Sequence, residues 1–223
     1  MKRNPCFLSR LEFGEIPCQM KGGAIMKRII GLVIIAFSIF LFFNTAQSAG
    51  PKWEFDRDHS NIYFDVKHIY STARGFFEDF SGEFLFDPNN QDASNCYIEV
   101  KVKSINTHIR RRDDHLRSDD FFSASKYPLM TFQSTRINHI QGTQYTVEGK
   151  LTMKDVAKDI IVPFTYFGVR DNPFKKNQLV AGFEARFKID RLAYNVGNGK
   201  FYKMGVVGKE VEITVSLEMT RKK

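Results

Sequence analysis

The chain has 223 residues, with 33 Lys/Arg against 25 Asp/Glu. Residues 50–223 hold 27 of those basic and 23 of those acidic side chains, a net charge of about +4, too mild for a nucleic-acid surface, and no nucleic-acid motif accompanies it. Of three cysteines only Cys96 lies beyond residue 49, which excludes an intrachain disulfide there and leaves core packing to hold one domain.

From the N-terminus, Met26-Lys27-Arg28, the uncharged run Ile29–Phe43 and the small-residue stretch Asn44-Thr45-Ala46-Gln47-Ser48-Ala49 form the three parts of a secretory signal peptide. The apolar run is 15 residues long, short of the ~20 that a spanning helix needs. Residues 26–49 are therefore expected to be removed, after Ala49 or Ser48, and residues 50–223 to be exported. No Cys follows the run, which argues against a lipoprotein anchor. Lys21-Gly22-Gly23 can be encoded by a ribosome-binding sequence shortly before Met26, so residues 1–25 are expected to be an upstream extension rather than translated protein.

Beyond the signal, apolar and polar residues alternate with a period of two, the mark of half-buried strands. Ile62, Phe64, Val66 and His68 share one face of the first such run, and Phe80, Gly82, Phe84 and Phe86 one face of the next. Ile98, Val100 and Val102 follow. Later strands are predicted around Phe132 (129–137), at Tyr145–Leu151 and at 158–169, where there is more apolar material than alternation requires. Ala181, Phe183, Ala185, Phe187 and Ile189 alternate against Gly182, Glu184, Arg186 and Lys188, and Val211 to Met219 repeats the pattern most cleanly.

These runs predict an all-β protein, an eight-stranded antiparallel barrel whose closure removes exposed sheet edges. One short helical insertion is predicted at 110–122, rich in Arg and Asp, with Phe121-Phe122 docking on the barrel. Residues 192–209, rich in glycine, read as a long loop at the barrel's mouth. Small inward residues such as Gly149, Ala181 and Ala185 either interdigitate with Phe rings or leave a tunnel, and the pattern alone leaves both open.

The segment Thr107, Arg112-Asp113, His115-Leu116, Ser118, Asp120-Phe121-Phe122, Tyr127-Pro128 and Phe132 resembles the signature of the YceI-like family of polyisoprenoid-binding, lipocalin-like exported proteins. Ser60 to His68, Gly75 to Phe86, Gly149 to Lys158, Asp190-Arg191 and Val207 to Val211 are similar to its other conserved stretches, so the likeness covers roughly residues 53–220. Asp155 and Ala157 depart from its Gly-Val-Thr turn. The resemblance implies a hollow lipocalin-like barrel, exported to the periplasm and holding a long-chain isoprenoid or similar lipid, with no chemistry performed and no cofactor beyond that ligand.

On this reading the lumen contacts are Phe64, His68, Phe84, Val100, Phe132, Val147, Phe164, Phe183 and Phe187. For His68 a hydrogen-bonded core imidazole is the simpler reading. Arg110, Arg112, His115 and Arg117 are candidates for an anionic head group, although Asp113, Asp114, Asp119 and Asp120 nearly neutralise them and an ion-paired surface is the simpler reading. The five histidines, at 59, 68, 108, 115 and 139, show no metal-ligand spacing, and no nucleophile or phosphate-loop motif is present. A lipid is the expected partner, with transient contact to a membrane surface and a homodimer both left open.

Overall fold

The computed structural model describes residues 49–223. The expected signal peptide, apart from Ala49, and the upstream extension lie outside the described residues. Among the described residues no helix is long and apolar enough to cross a membrane.

Eleven strands form one antiparallel sheet: β1 (Lys52–Phe55), β2 (Asn61–His68), β3 (Ser71–Phe77), β4 (Phe80–Leu85), β5 (Asn95–Lys101), β6 (Ile105–Asn106), β7 (Leu129–Gln141), β8 (Gln144–Met153), β9 (Val156–Asp171), β10 (Gln178–Asp190) and β11 (Val207–Lys222). Helix α1 (Arg110–Arg117) stands between β6 and β7, and the single-turn α2 (Lys200–Lys203) between β10 and β11. The eight expected strands are all present and the barrel is closed; β1, β3 and β6 are additions. β3 is the hairpin partner of β2.

Closure is achieved differently at the two ends. The four-residue β1 is divided between two partners, with Lys52 and Trp53 paired to Leu85 and Phe84 on β4, and Glu54 and Phe55 paired to Thr220 and Met219 on β11. At the other end the chain leaves β5 through a 3₁₀ turn at Val102–Ser104 and pairs as β6 with Phe76 and Phe77 of β3. Neither strand is long enough to carry a sheet alone. Each satisfies an edge that would otherwise expose unpaired N–H and C=O groups.

Period-two burial holds along the strands and sends one face inward. β8 buries Tyr145, Val147, Gly149, Leu151 and Met153, and β10 buries Ala181 and Phe183. In β7 a register shift between Ser134 and Arg136 switches the inward set from Met130 and Phe132 to Ile137, as an extra residue in one strand must. All these strands and their common core lie within residues 49–223, so this part is a folding unit in itself.

Candidate functional site

The interior is hollow. A cavity of about 220 Å³ runs along the barrel, lined by side chains from β2, β4, β5, β7, β8, β9, β10 and β11 and by the segments at one end. Phe64, Phe84, Val100, Phe132, Val147, Phe164, Phe183 and Phe187 all face it. Of the two readings of the small inward residues, each describes part of the molecule. A Cβ on Gly149 would sit 2.5 Å from the Phe132 ring and one on Gly75 2.4 Å from the Phe64 ring, so both glycines are seats for a ring. Elsewhere, beside Ala185 for instance, the space stays open.

His68 is not part of the lining. It is exposed at the end of β2, although it has the parity of Phe64 and Val66. The cause is a register shift in the neighbouring strand: Val211 pairs with Val66, but Val207 pairs with His68, which places three β11 residues opposite Lys67. A bulge of this kind bends the pair and re-aims the side chain.

One end of the cavity is sealed by aromatic packing. Phe86 is fully buried, with its ring centroid 5.4 Å from Tyr145, 5.0 Å from Tyr166, 5.2 Å from Phe183 and 6.0 Å from Phe164. Its carbonyl accepts a hydrogen bond from Trp53 Nε1 at 3.1 Å. These contacts are mostly edge-to-face, and beside them Arg221 lies 5.0 Å over the Trp53 ring with its Nε buried and without a hydrogen-bond partner.

The other end is covered by a cap built from α1, the turns that follow it, and the segment between β10 and β11. Leu116, Phe121, Phe122, Val196 and Val207 form its underside. An eight-residue helix is too short to hold itself in water, and α1 is pinned by side chains. Buried Asp113 accepts from Thr107 N at 2.9 Å and from the Thr107 hydroxyl, reaching back over the first turn as a capping-box carboxylate does. Arg112 donates to Thr107 Oγ1 and to Thr107 O at 2.7 and 2.8 Å. Arg117 donates to Lys103 O, Ile105 O and Asp114.

The four head-group candidates are therefore accounted for otherwise. None lines the cavity. Arg112 and Arg117 are tied to backbone carbonyls, Arg110 is exposed with its Nε 3.9 Å from Asp114, and His115 Nε2 is 2.9 Å from Asp120. The conspicuous charges of the block are an ion-paired and backbone-bonded scaffold that carries Phe121 and Phe122 inward.

The cationic residue that does reach the cavity is Arg191. It is 5% exposed, has no carboxylate bridge, and donates to Gly208 O at 2.8 Å, Val196 O at 2.7 Å and Val207 O at 3.4 Å, with Phe121 stacked 5.7 Å away. Burial lowers its pKa below the usual guanidinium value. A fork of N–H groups that holds three carbonyls of the cap is a staple. Gly197, at φ +89, must stay a glycine, because a Cβ there would sit 2.3 Å from Arg191 Nη1. Lys154, in the β8–β9 turn at φ +55, is a second staple, donating to Phe121 O and Asn195 O at 3.0 and 2.7 Å. Arg191 was not singled out from the sequence, although parity could have found it, since it continues the inward series Phe187, Ile189. Nothing local pointed to Val196 or Val207.

The barrel wall has one unzipped seam. β9 and β10 pair from Leu179↔Asp171 to Ala185↔Phe164 and no further, so residues 156–163 pair only with β8 and residues 186–190 only with β11. Pro163, which has no N–H to give, stands at that point, as prolines in sheets stand at edges. Glu184, Ala185 and Phe187 line the cavity beside it. The surplus apolar residues of this strand are explained: Val162 faces in, while Ile161 lies on the outside, exposed.

Among the cavity-lining residues only Thr131, Glu184 and Arg191 are polar or charged, besides the thiol of Cys96. Burial pushes that thiol from 9.0 up to about 12, against a smaller opposing effect of its contact with Ser134. At neutral pH it is a small apolar wall group. At the surface near β1 and β11, Asp56, His59 and Glu218 each offer a ligand atom within 4.8 Å of the others. Two of them already pair with each other, His59 Nδ1 to Asp56 Oδ2 at 3.1 Å.

A sequence profile of the YceI-like domain matches residues 53–219. The protein YceI of Salmonella arizonae is 30% identical over 200 residues, 88% of this chain and 99% of that protein. The crystal structure of Burkholderia cenocepacia BcnA superposes with a TM-score of 0.65 at 28% identity, covering 76% of this chain and all of that one. A Campylobacter jejuni YceI protein gives a TM-score of 0.62 at 29% identity, covering 71% and 91%. A polyisoprenoid binding domain from Saccharophagus degradans shares the fold at 15% identity, TM-score 0.55, over 75% of this chain and 97% of that domain. With a matching profile over most of its length and a hollow barrel of the same build, the chain belongs to the YceI-like family.

Proposed function

We propose that the protein is an exported carrier that holds a long apolar chain, a polyisoprenoid or a similar amphipathic lipid, inside its barrel and performs no chemistry on it. The observation that carries this reading is a cavity of about 220 Å³ inside the barrel, walled almost wholly by aliphatic and aromatic side chains. Burial of apolar surface is worth ~0.8 kcal/mol per methylene, so ten methylene equivalents supply roughly 8 kcal/mol before ordering costs, near micromolar affinity, without any polar recognition. The name of the Saccharophagus degradans domain, which shares this fold, supports an isoprenoid as the guest.

The cavity also favours a carrier over a solid structural barrel. Against an enzyme stands the state of its few polar wall groups: Arg191 is committed to backbone carbonyls, and Cys96 with a pKa of about 12 offers almost no thiolate at neutral pH. Export rests on the signal-peptide pattern of residues 26–49, and N-terminal sequencing of protein from the periplasmic fraction is expected to begin at Gly50 or Ala49.

The carrier reading is tested by organic extraction of the purified protein and mass spectrometry. A prenyl or other long-chain lipid near one per barrel is the expected result. An empty extract, together with failure of the stripped protein to take up a polyprenol, would overturn it. Ala185→Leu, which puts three carbons into the open bore beside the seam, is expected to cut lipid occupancy severalfold while costing about 1 kcal/mol or less of stability.

A further inference from the structure

The capped end carries a surface that the barrel does not need. The β2–β3 hairpin ends in Ile69 and Tyr70, both exposed, Tyr70 by 95%. Beside it, joined by the hydrogen bond from Ile69 N to Val206 O at 3.0 Å, lies the segment of α2, which exposes Tyr202 and Met204. Ile69 holds this position at φ +51, a region that β-branched residues avoid. An apolar side chain placed in water at a backbone cost contributes nothing to the core, and such outliers are a reason to look for function.

The charge around these residues has one sign. From Val66 to Phe77 there is no Asp or Glu, and from Arg191 to Lys209 there is none either. Lys200 and Lys203 flank Tyr202 with no carboxylate bridge among the described residues, and Lys67 Nζ reaches only the Tyr70 carbonyl. Of the carboxylates bordering these two segments, Asp65 is engaged by Arg74, Asp190 by Lys209 and Glu210 by Lys188, while Glu78, after the end of β3 away from the hairpin tip, accepts from Asn106 Nδ2. On the neighbouring α1, Asp114 is bridged by Arg110 and Arg117; in the turn after it Asp120 is bridged by His115, while exposed Asp119 has no ion pair among the described residues.

We propose that this rim docks on the surface of an anionic phospholipid bilayer, with Ile69, Tyr70, Tyr202 and Met204 dipping among the headgroups and Lys200 and Lys203 pairing with phosphate. Tyrosine suits that depth, having an apolar body and a polar tip, and juxtamembrane lysines add electrostatic attraction. Phe201, between the two lysines, points the other way and stacks on Phe121 of the cap, with ring centroids 5.9 Å apart and 12° between planes. A bilayer that holds α2 therefore pulls on a ring that lines the cavity. The docking gives the cap a reason to open where lipid is available, and in this it rests on the carrier reading.

The opposite end offers an exposed aromatic as well, Phe174, 93% exposed and followed by Lys175 and Lys176. There, however, the same surface hollow includes Glu54, Asp56, Asp58 and Glu218, and the bore behind it is sealed. That end is the internal control.

The test is sedimentation of residues 50–223 with vesicles of phosphatidylcholine alone or with a third of phosphatidylglycerol. Binding to the anionic vesicles only is expected, and it should weaken as salt is raised. Lys200→Glu with Lys203→Glu, and separately Tyr70→Ser with Met204→Ser, should each weaken binding more than about tenfold, while Phe174→Ser should leave it unchanged. These side chains are exposed, so the variants should fold as the parent does, which circular dichroism checks. No binding to anionic vesicles, undiminished binding by both rim variants, or loss of binding in Phe174→Ser would each overturn the proposal. Lipid extraction from the same preparations separates the two readings. A loaded protein that ignores vesicles refutes the docking alone, and an empty protein that binds them refutes the carrier alone.

Discussion

The two ends of the barrel are covered by different physics. At one end, strand residues interlock: Phe86, fully buried, is ringed by Phe84, Tyr145, Phe164, Tyr166 and Phe183, and Trp53 bonds to its carbonyl. At the other, chain segments that belong to no strand are laid over the bore and held by Arg191, Lys154 and Arg117 through backbone carbonyls. A packed aromatic cluster opens only with the fold. The cap also buries Phe121, Ala124, Tyr194 and Val196 in the common core, but it has no strand ladder of its own, so it is expected to open locally at less than the global cost. This difference makes one end a floor and the other a door.

The comparison can be broken or sharpened by experiment. The largest effect concerns Cys96, walled in beside Phe84 on the neighbouring strand β4. With its pKa at about 12 instead of 9.0, the thiolate is roughly a thousandfold scarcer, so alkylation by iodoacetamide at pH 8 should be undetectable in the folded protein and complete in guanidinium. Fast reaction in the folded state would mean that the interior is wet. Next, Phe86→Ala should destabilise the protein by about 3–5 kcal/mol, read as a lowered urea midpoint, because it empties the centre of the floor.

Arg191→Met should cost less, about 2–3 kcal/mol, since it gives up charged hydrogen bonds to three carbonyls but relieves a buried charge. Its signature is faster loss of bound lipid in a transfer assay, which Phe86→Ala at equal residual stability should not show. Equal off-rates in the two variants would erase the distinction between floor and door.

The smallest effect is at the surface pair Asp56–His59. The hydrogen bond to Asp56 raises the His59 imidazole above its ordinary 6.5. Burial acts to raise the Asp56 carboxyl, but the bond from His59 and those from backbone N–H groups bring it below 3.8. The pair therefore stabilises the fold fully between about pH 3.8 and 6.5. Its contribution fades as pH rises through the raised His59 value or falls through the lowered Asp56 value. His59→Gln should lower Tm slightly at pH 5.5 and not at pH 8.5.

Much of this architecture was legible in the sequence because alternation is a local property. Residues 62–66, 98–102, 181–189 and 211–219 each announce their strand and its inward face, and those faces meet at the cavity. The insertion at 110–122 and its docking Phe121 were legible too. β1, β3 and β6 were not: two to four residues carry no period, and β3 holds Thr72, Ala73 and Arg74 without a clear apolar face. His68 shows where alternation misleads, for its direction depends on a bulge in β11, about 140 residues away. The Arg-rich block shows that a run of charge draws the eye away from the cation that matters to the cavity. The block's simpler reading as an ion-paired surface agrees with the ion pairs and backbone bonds found there, whereas the guanidinium that reaches the cavity, Arg191, was not singled out.

Composition and periodicity alone determined an all-β, antiparallel, Phe-rich barrel with one polar helical insertion, because hydrophobic alternation dictates which face of each strand leaves water. Whether that barrel is solid or hollow, and at which end it can open, was decided only in three dimensions. Rings from one strand fill the glycine seats of another, as Phe132 fills Gly149 and Phe64 fills Gly75, and the space left over is a sum across strands remote in sequence. The cap, likewise, is closed by a guanidinium and carbonyls whose meeting no local pattern encodes.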